Sequence, residues 1–250
     1  MQYYLPAIII FALVFAVALY YIISDRRYKS TQYYKVTGNT RSELKNNPAK
    51  MSEYLVYKRL SEYESKGARF LFNLYIPIKG SRKTELDAVM LCSRGIFVFE
   101  SKSRYGWLEG NEKDREWSQF LFKKDGTLIE NKLYNPILQN RGHIAHLQKL
   151  LGGNIRMWSV ISFSEKTDID RITVSYPDTF VTRETQLPIV VGNIYWNAKD
   201  TLTEKDITSI YYKLYPYAIV TEEQKEMHIN DIKHRYLSGK PKGKGKRKKK

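Results

Sequence analysis

From Leu5 to Ile23 the chain runs 19 residues without a charged side chain. A stretch of about 20 apolar residues is the length that crosses a bilayer as a helix. Inside hydrocarbon a helix is forced, because the backbone must satisfy its own N–H and C=O groups. Residues 5–23 are therefore expected to be a transmembrane helix after a short segment, 1–4. Residues 2–4 carry no Lys or Arg, whereas Arg26, Arg27, Lys29 and Lys35 follow the span. The positive-inside rule then predicts a single-pass membrane protein whose large C-terminal part is cytoplasmic. A cleaved signal peptide is the alternative. It fits less well, since its positively charged start is missing and the A-x-A-like run Ala16-Val17-Ala18 lies inside the apolar stretch. The single cysteine, Cys92, excludes an internal disulfide and fits a reducing compartment.

Residues 24–47 are polar and read as a juxtamembrane linker. The chemistry lies further on. Thr84-Glu85-Leu86-Asp87-Ala88-Val89-Met90-Leu91 and Gly95-Ile96-Phe97-Val98-Phe99-Glu100-Ser101-Lys102 are short, rich in Val, Ile and Phe, and separated by a turn, so they read as a β-hairpin. Alternation places Asp87 with Val89 and Leu91, and Glu100 and Lys102 with Ile96 and Val98. A turn centred between Ser93 and Arg94 sets Asp87 opposite Glu100. Opposed side chains have Cβ atoms roughly 4.5–5.5 Å apart, and two like charges there destabilise a sheet unless a cation intervenes. A bulge would shift the pairing by one residue. Phe97 and Phe99 make the other face of the second strand apolar too, so its charges sit where burial is costly.

Two carboxylates, with water and phosphate oxygens, are the donor set that Mg²⁺ or Mn²⁺ takes. Asp87, Glu100 and the Ser101 carbonyl could supply it, while Lys102 could orient or help deprotonate a water and offset phosphate charge. The plain alternative is a Glu–Lys surface pair beside a solvated Asp. Glu53 lies in line with Val56, Tyr57 and Leu60 on a helical stripe and could add a carboxylate, or it could be an ordinary helix-start acid.

Asn135-Pro136 predicts an N-cap and first helical position, with a helix to about Leu151 closed by Gly152-Gly153 and a core stripe of Ile137, Ile144, Leu147 and Leu151. Gln139 and Arg141 lie in its first turns, where N–H groups can receive a phosphate; Gln139 points away from the stripe. His143 and His146 lack the further ligands of a zinc set and are taken as surface or substrate-side residues. Trp107, Trp117, Phe120 and Phe122 read as core of two short strands, ahead of base stacking, and Arg104 and Tyr105, just past Lys102, as candidates for phosphate contact.

These segments resemble a known family. Ser52-Glu53, Glu85-Leu86-Asp87, Arg94 through Lys102, Gly106-Trp107, Trp117, and Asn135-Pro136-Ile137-Leu138-Gln139-Asn140-Arg141-Gly142-His143-Ile144 look like the nuclease-related domain, NERD, of the PD-(D/E)xK nuclease superfamily. The resemblance covers about residues 48–165. It implies an α/β fold, a restriction-endonuclease-like mixed β-sheet flanked by helices. Matched to the family's active-site positions are Glu53, Asp87, Glu100, Lys102 and Gln139, with Mg²⁺ or Mn²⁺ as cofactor. Two departures stand out: Ser52 replaces the usual glycine, and no proline precedes Asp87.

Residues 166–238 are expected to form a C-terminal α/β extension. In it Leu187-Pro188-Ile189-Val190-Val191 reads as a strand, as does Arg156 to Phe163 before it, and Thr203/Asp206 and Thr221/Gln224 read as capping boxes. The net charge is +16, and eight of the last eleven residues are Lys or Arg, so 239–250 is expected to be a disordered basic tail, either simply solvated or facing a polyanion. Nucleic acid, with DNA ahead of RNA, and anionic lipid both qualify. Two functions follow: a membrane-anchored, metal-dependent nuclease-like enzyme cutting phosphodiester bonds, or a noncatalytic nucleic-acid-binding scaffold that keeps the fold.

Overall fold

In this computed structural model, the described residues are 4–78, 82–219 and 230. The basic tail and the Thr221/Gln224 pair fall outside them. A long helix, α1 (Leu5–Lys29), leads into two single-turn helices, α2 (Gln32–Thr37) and α3 (Arg41–Asn46), and then α4 (Pro48–Leu60). A 3₁₀ turn at Ser61–Lys66 ends the helical entry. The strands β1 (Arg69–Pro77), β2 (Lys83–Cys92), β3 (Gly95–Lys102), β4 (Gly106–Asn111), β5 (Glu116–Phe122) and β6 (Leu128–Tyr134) follow. After them come α5 (Pro136–Leu151), β7 (Met157–Phe163), β8 (Thr167–Thr173), β9 (Thr179–Arg183), a 3₁₀ turn at Glu184–Gln186, α6 (Leu187–Asn197) and α7 (Glu204–Ala218).

The strands form two mixed sheets. The larger has the order β1-β2-β3-β7-β9, antiparallel across β1-β2-β3 and parallel from β3 to β9. Its central strand, β3, has Ile96, Phe97, Val98 and Phe99 fully buried. Phe97 and Phe99 pack with Val56, Tyr57 and Leu60 of α4 and Leu187 and Val191 of α6. Ile96 and Val98 pack on the other face with Leu147 of α5 and Ile207 and Leu214 of α7. Each such apolar side chain contributes about 1.5–3 kcal/mol when fully withdrawn from water, so a sheet clad on both faces is a stiff platform for the acids at its end. The smaller sheet, β6-β5-β4-β8, packs Leu108, Trp117 and Leu133 against Ile137 of α5 and Phe163 of β7.

The β2–β3 turn is the two-residue Ser93-Arg94 connection, with Cys92 paired to Gly95. Gly95 sits at φ 114°, and a Cβ there would come within 2.4 Å of the Arg156 carbonyl oxygen. Only glycine lets the hairpin close against the start of β7.

Two segments differ from the sequence expectations. Residues 24–47 do join the apolar helix to the domain, but they are packed: Tyr28, Tyr33 and Leu44 are buried in the main core. Leu187–Val191 is helix, because Pro188 falls in the first turn, where its missing N–H costs nothing, and the buried residues Leu187, Val191, Ile194 and Tyr195 follow a helical period. Residues past 165 add β8 to the smaller sheet and β9 to the larger one. The Thr203/Asp206 capping box is present and opens α7.

Candidate active site

The β2–β3 ladder pairs Ala88 with Phe99, Val89 with Val98 and Met90 with Phe97, the register expected of that turn. The next pair would be Asp87 and Glu100, and there the regular ladder stops. In place of a backbone partner, the Ser101 N–H donates to Asp87 Oδ2 at 2.7 Å and the Ser101 hydroxyl donates to the same oxygen at 3.1 Å.

The sheet also changes face at this point. Along β1, Phe70 and Phe72 belong to the core under α4, while Leu74 and Ile76 belong to the core under α5 and α7. Strand β2 switches likewise between Ala88 and Leu86. The pivot is Asn73, facing Asp87 between the Phe72–Ala88 and Leu74–Leu86 pairs, with φ 51°. Asparagine tolerates this left-handed backbone better than most residues. The kink lets Glu53, reaching in from α4 on one face, meet Asp87: an Asn73 side-chain hydrogen bond and the Asp87 charge both act on the Glu53 carboxyl.

Lys102 closes the cluster. Its ammonium lies 2.5 Å from Glu100 Oε1 and donates to Gln139 Oε1 at 3.2 Å. Gln139, placed away from the core stripe of α5, does therefore reach the lysine. His143, one turn further along α5, is buried rather than on the surface. Its Nδ1 is 2.9 Å from the Thr84 hydroxyl, and its Nε2 is 3.2 Å from Glu100 Oε2 but too far off line for a good hydrogen bond. With the proton on Nε2, Nδ1 accepts from Thr84 and the ring faces Glu100 as a donor. The i, i+4 spacing of Gln139 and His143 was the signal available in the sequence: a helix that turns one toward Lys102 turns the other the same way.

Burial and charge act on these groups in opposite directions. Burial pushes the Asp87 carboxyl up to about 8, and the Glu100 charge adds to the push. Asp87 keeps an edge in contact with solvent although protein atoms crowd its carboxylate. Burial, then the Asp87 charge, holds Glu53 well above the usual carboxylate range. At Glu100 burial is outweighed by Lys102 and His143, which hold it below that range. At Lys102 burial is outweighed by Glu100 and Asp87, so the ammonium is held above the ordinary lysine value and stays charged.

The cluster fits a cation only in part. Glu53 Oε2 and Glu100 Oε2 are buried oxygens without an aligned hydrogen-bond donor, and burial followed by the Glu100 charge raises the Asp87 carboxyl, both relieved by a positive ion. Among the described residues, however, no three His, Cys, Asp or Glu side chains converge as a finished cage. Magnesium needs no such cage, since one or two carboxylates with waters and phosphate oxygens suffice.

Other candidates lie apart from this core. Arg104 and Tyr105 are exposed in the β3–β4 connection directly after Lys102, and Arg104 is near enough to bear on the lysine's charge. Arg141 is turned elsewhere, 3.1 Å from Asp178 and stacked over the Tyr176 ring at 4.4 Å. Of the four aromatics read as core, only Trp117 is fully buried. Trp107 and Phe120 are cross-strand partners stacked on each other on the outer face, and Phe122 is 68% exposed. Alternation from the buried Trp117 puts Phe120 and Phe122 outside.

An uncharacterized protein of Bacillus anthracis is 25% identical over 187 residues, covering 75% of this chain and 84% of that protein. No solved structure matches the chain. The nuclease-related domain family, NERD, matches residues 48–164, a segment that runs from the first turn of α4 to the end of β7 and carries Glu53, Asp87, Glu100, Lys102, Gln139 and His143. Residues 48–164 of this chain are thus similar to the nuclease-related domain family.

Proposed function

We propose that this protein is a membrane-anchored, divalent-metal-dependent nuclease that hydrolyses phosphodiester bonds, with DNA the first substrate to test. One observation carries the reading: within the segment that matches the nuclease-related domain, a half-buried, charged lysine lies between Glu100, Asp87 and Gln139 where the sheet kinks to admit Glu53. Asp87 and Glu100 would hold Mg²⁺ or Mn²⁺, with Glu53 as a further carboxylate. Such an ion polarises phosphate oxygens and lowers the pKa of a bound water.

The chain's own groups have distinct tasks. Lys102, held charged, aligns the attacking water and offsets phosphate charge rather than removing a proton. Gln139 steadies the ammonium from one side, and Glu100 does so from the other. His143, seated on the Thr84 hydroxyl, orients Glu100. Arg104 and Tyr105 at the mouth contact the substrate backbone; Arg141, engaged by Asp178, stands outside this path.

The N-terminal helix Ile8–Lys29 is long and apolar enough to cross a membrane, and its residues 8–23 are all exposed. We assign it as the anchor, with the domain on the cytoplasmic side by the charge asymmetry that flanks it. The test is full-length protein in detergent with labelled single- and double-stranded DNA and RNA, with and without Mg²⁺ or Mn²⁺. Metal-dependent cleavage lost in Lys102→Ala and Asp87→Asn is expected. The closed Glu100–Lys102 pair favours a second reading, a noncatalytic nucleic-acid-binding scaffold; binding without cleavage on every substrate would select it.

A further inference from the structure

The apolar helix does not hang from the domain on a tether. It runs unbroken as α1 to Lys29, and its last turn is part of the domain core. Tyr28 is 3% exposed, donates its hydroxyl to the Asn39 carbonyl at 2.5 Å, and packs edge-on against Tyr34 and Tyr54. Arg41, at the start of α3, returns to the same helix. Its guanidinium donates to the Ser24 carbonyl at 2.8 Å and lies 5.1 Å from the centre of the Tyr28 ring.

Ser24 is the first residue past the apolar run of residues 5–23, so α3 is pinned at the level where hydrocarbon gives way to headgroups. At about 1.5 Å of rise per residue, Arg26 and Arg27 stand within a headgroup layer some 5–7 Å deep. Residues 24–50 carry seven basic and two acidic side chains. Both acids are paired within the segment, Asp25 with Lys29 at 2.8 Å and Glu43 with Lys50 at 2.9 Å. Arg26, Arg27, Arg41 and Lys45 are exposed and have no carboxylate partner among the described residues.

We infer that this segment is a rigid lipid-facing collar. Its arginines and Lys45 bind the phosphates of an anionic bilayer surface, and the weld at Tyr28 fixes the angle at which the domain sits on the membrane. The inference rests on the reading of residues 5–23 as a membrane span. Its consequence for the site is direct. Tyr28 and Tyr33 both pack on Tyr54 of α4, the residue next to Glu53, and the Tyr33 hydroxyl donates to the Lys50 carbonyl of the same helix at 3.2 Å. The contacts that hold the domain to the span therefore also hold the helix that delivers Glu53, so nucleic acid would reach the site at one fixed height above the lipid.

The test uses the full chain in vesicles of phosphatidylcholine with or without phosphatidylserine, labelled with a fluorophore at Ser42→Cys on α3, where nitroxide-headgroup lipid is the quencher. A second version carries a short Gly-Ser insert between Ser24 and Asp25, which leaves Tyr28 docked but frees the span from the domain. Carbonate extraction of both reports whether the anchor is inserted. The collar predicts that the insert lowers headgroup quenching at least several-fold with no change in extraction. It also predicts that replacing Arg26, Arg27 and Arg41 together by Gln removes the gain in quenching seen on adding phosphatidylserine. Equal quenching with and without the insert overturns the rigid weld, and quenching indifferent to phosphatidylserine overturns the lipid contact. Release of the intact protein by carbonate would instead overturn the anchor itself.

Discussion

Replacing Asp87 with Asn should make the metal-free protein more stable, the reverse of what removing a well-placed charge does. The Asp87 carboxyl is pushed from an ordinary 3.8 to about 8, first by burial and then by the Glu100 charge. A raised carboxyl contributes its full stability below the unfolded value and loses it as pH climbs through the folded value. The wild-type protein therefore weakens between about pH 4 and pH 8, at up to about 1.4 kcal/mol per pH unit. By pH 7 the ceiling is about 4 kcal/mol, and the solvent-facing edge of Asp87 reduces this to about 2 kcal/mol. Asn carries no such penalty and still offers Oδ1 to the Ser101 N–H. Thermal unfolding in detergent with EDTA should show Asp87→Asn ahead by about 4–8 °C at pH 7 and level with wild type near pH 4. Added Mg²⁺ should raise the wild type and leave the variant unmoved. A variant less stable than wild type at pH 7, or a difference that ignores pH, would refute this account of the cluster's electrostatics.

Other residues give sharper local tests. His143→Ala should weaken Mn²⁺ binding on the order of 10-fold by releasing Glu100, with partial rescue by His143→Gln, as read by calorimetry; equal affinities would remove its orienting role. Asn73→Ala should cost about 1–2 kcal/mol because alanine resists the left-handed backbone there, whereas Asn73→Gly should cost less in denaturant unfolding. In α6, Val191→Asp should unfold the domain while Ile189→Asp, at a position 65% exposed, is tolerated. A strand would have buried both, so comparable losses would contradict the helix.

The hairpin was legible because its signals are local: a two-residue turn fixes the register, and register fixes which residues meet. The α5 helix was legible for the same reason, from Asn135-Pro136 to Gly152. What the sequence hid was produced by tertiary packing. Asn73 looks like any polar residue in a strand, and only its place opposite Asp87 shows that the sheet changes face there. His143 read as a surface or substrate-side residue, and its burial was hidden because its partners, Thr84 and Glu100, come from two strands distant in sequence. Leu187–Val191 misled because a short apolar run has no decisive period, and the proline that marked a helix start was overruled by β-branched neighbours. The segment 24–47 looked like a linker by composition, yet Tyr28, Tyr33 and Leu44 are apolar surface that core packing took up.

The central claim is that Asp87 and Glu100 share a cation with Lys102 standing by. Diffraction from crystals soaked in Mn²⁺ tests it most directly, through the metal's anomalous signal. The account predicts one peak beside the Asp87 and Glu100 carboxylates, with the Lys102 ammonium drawn away from Glu100 Oε1. A map with no peak there and the Glu100–Lys102 pair intact would contradict it.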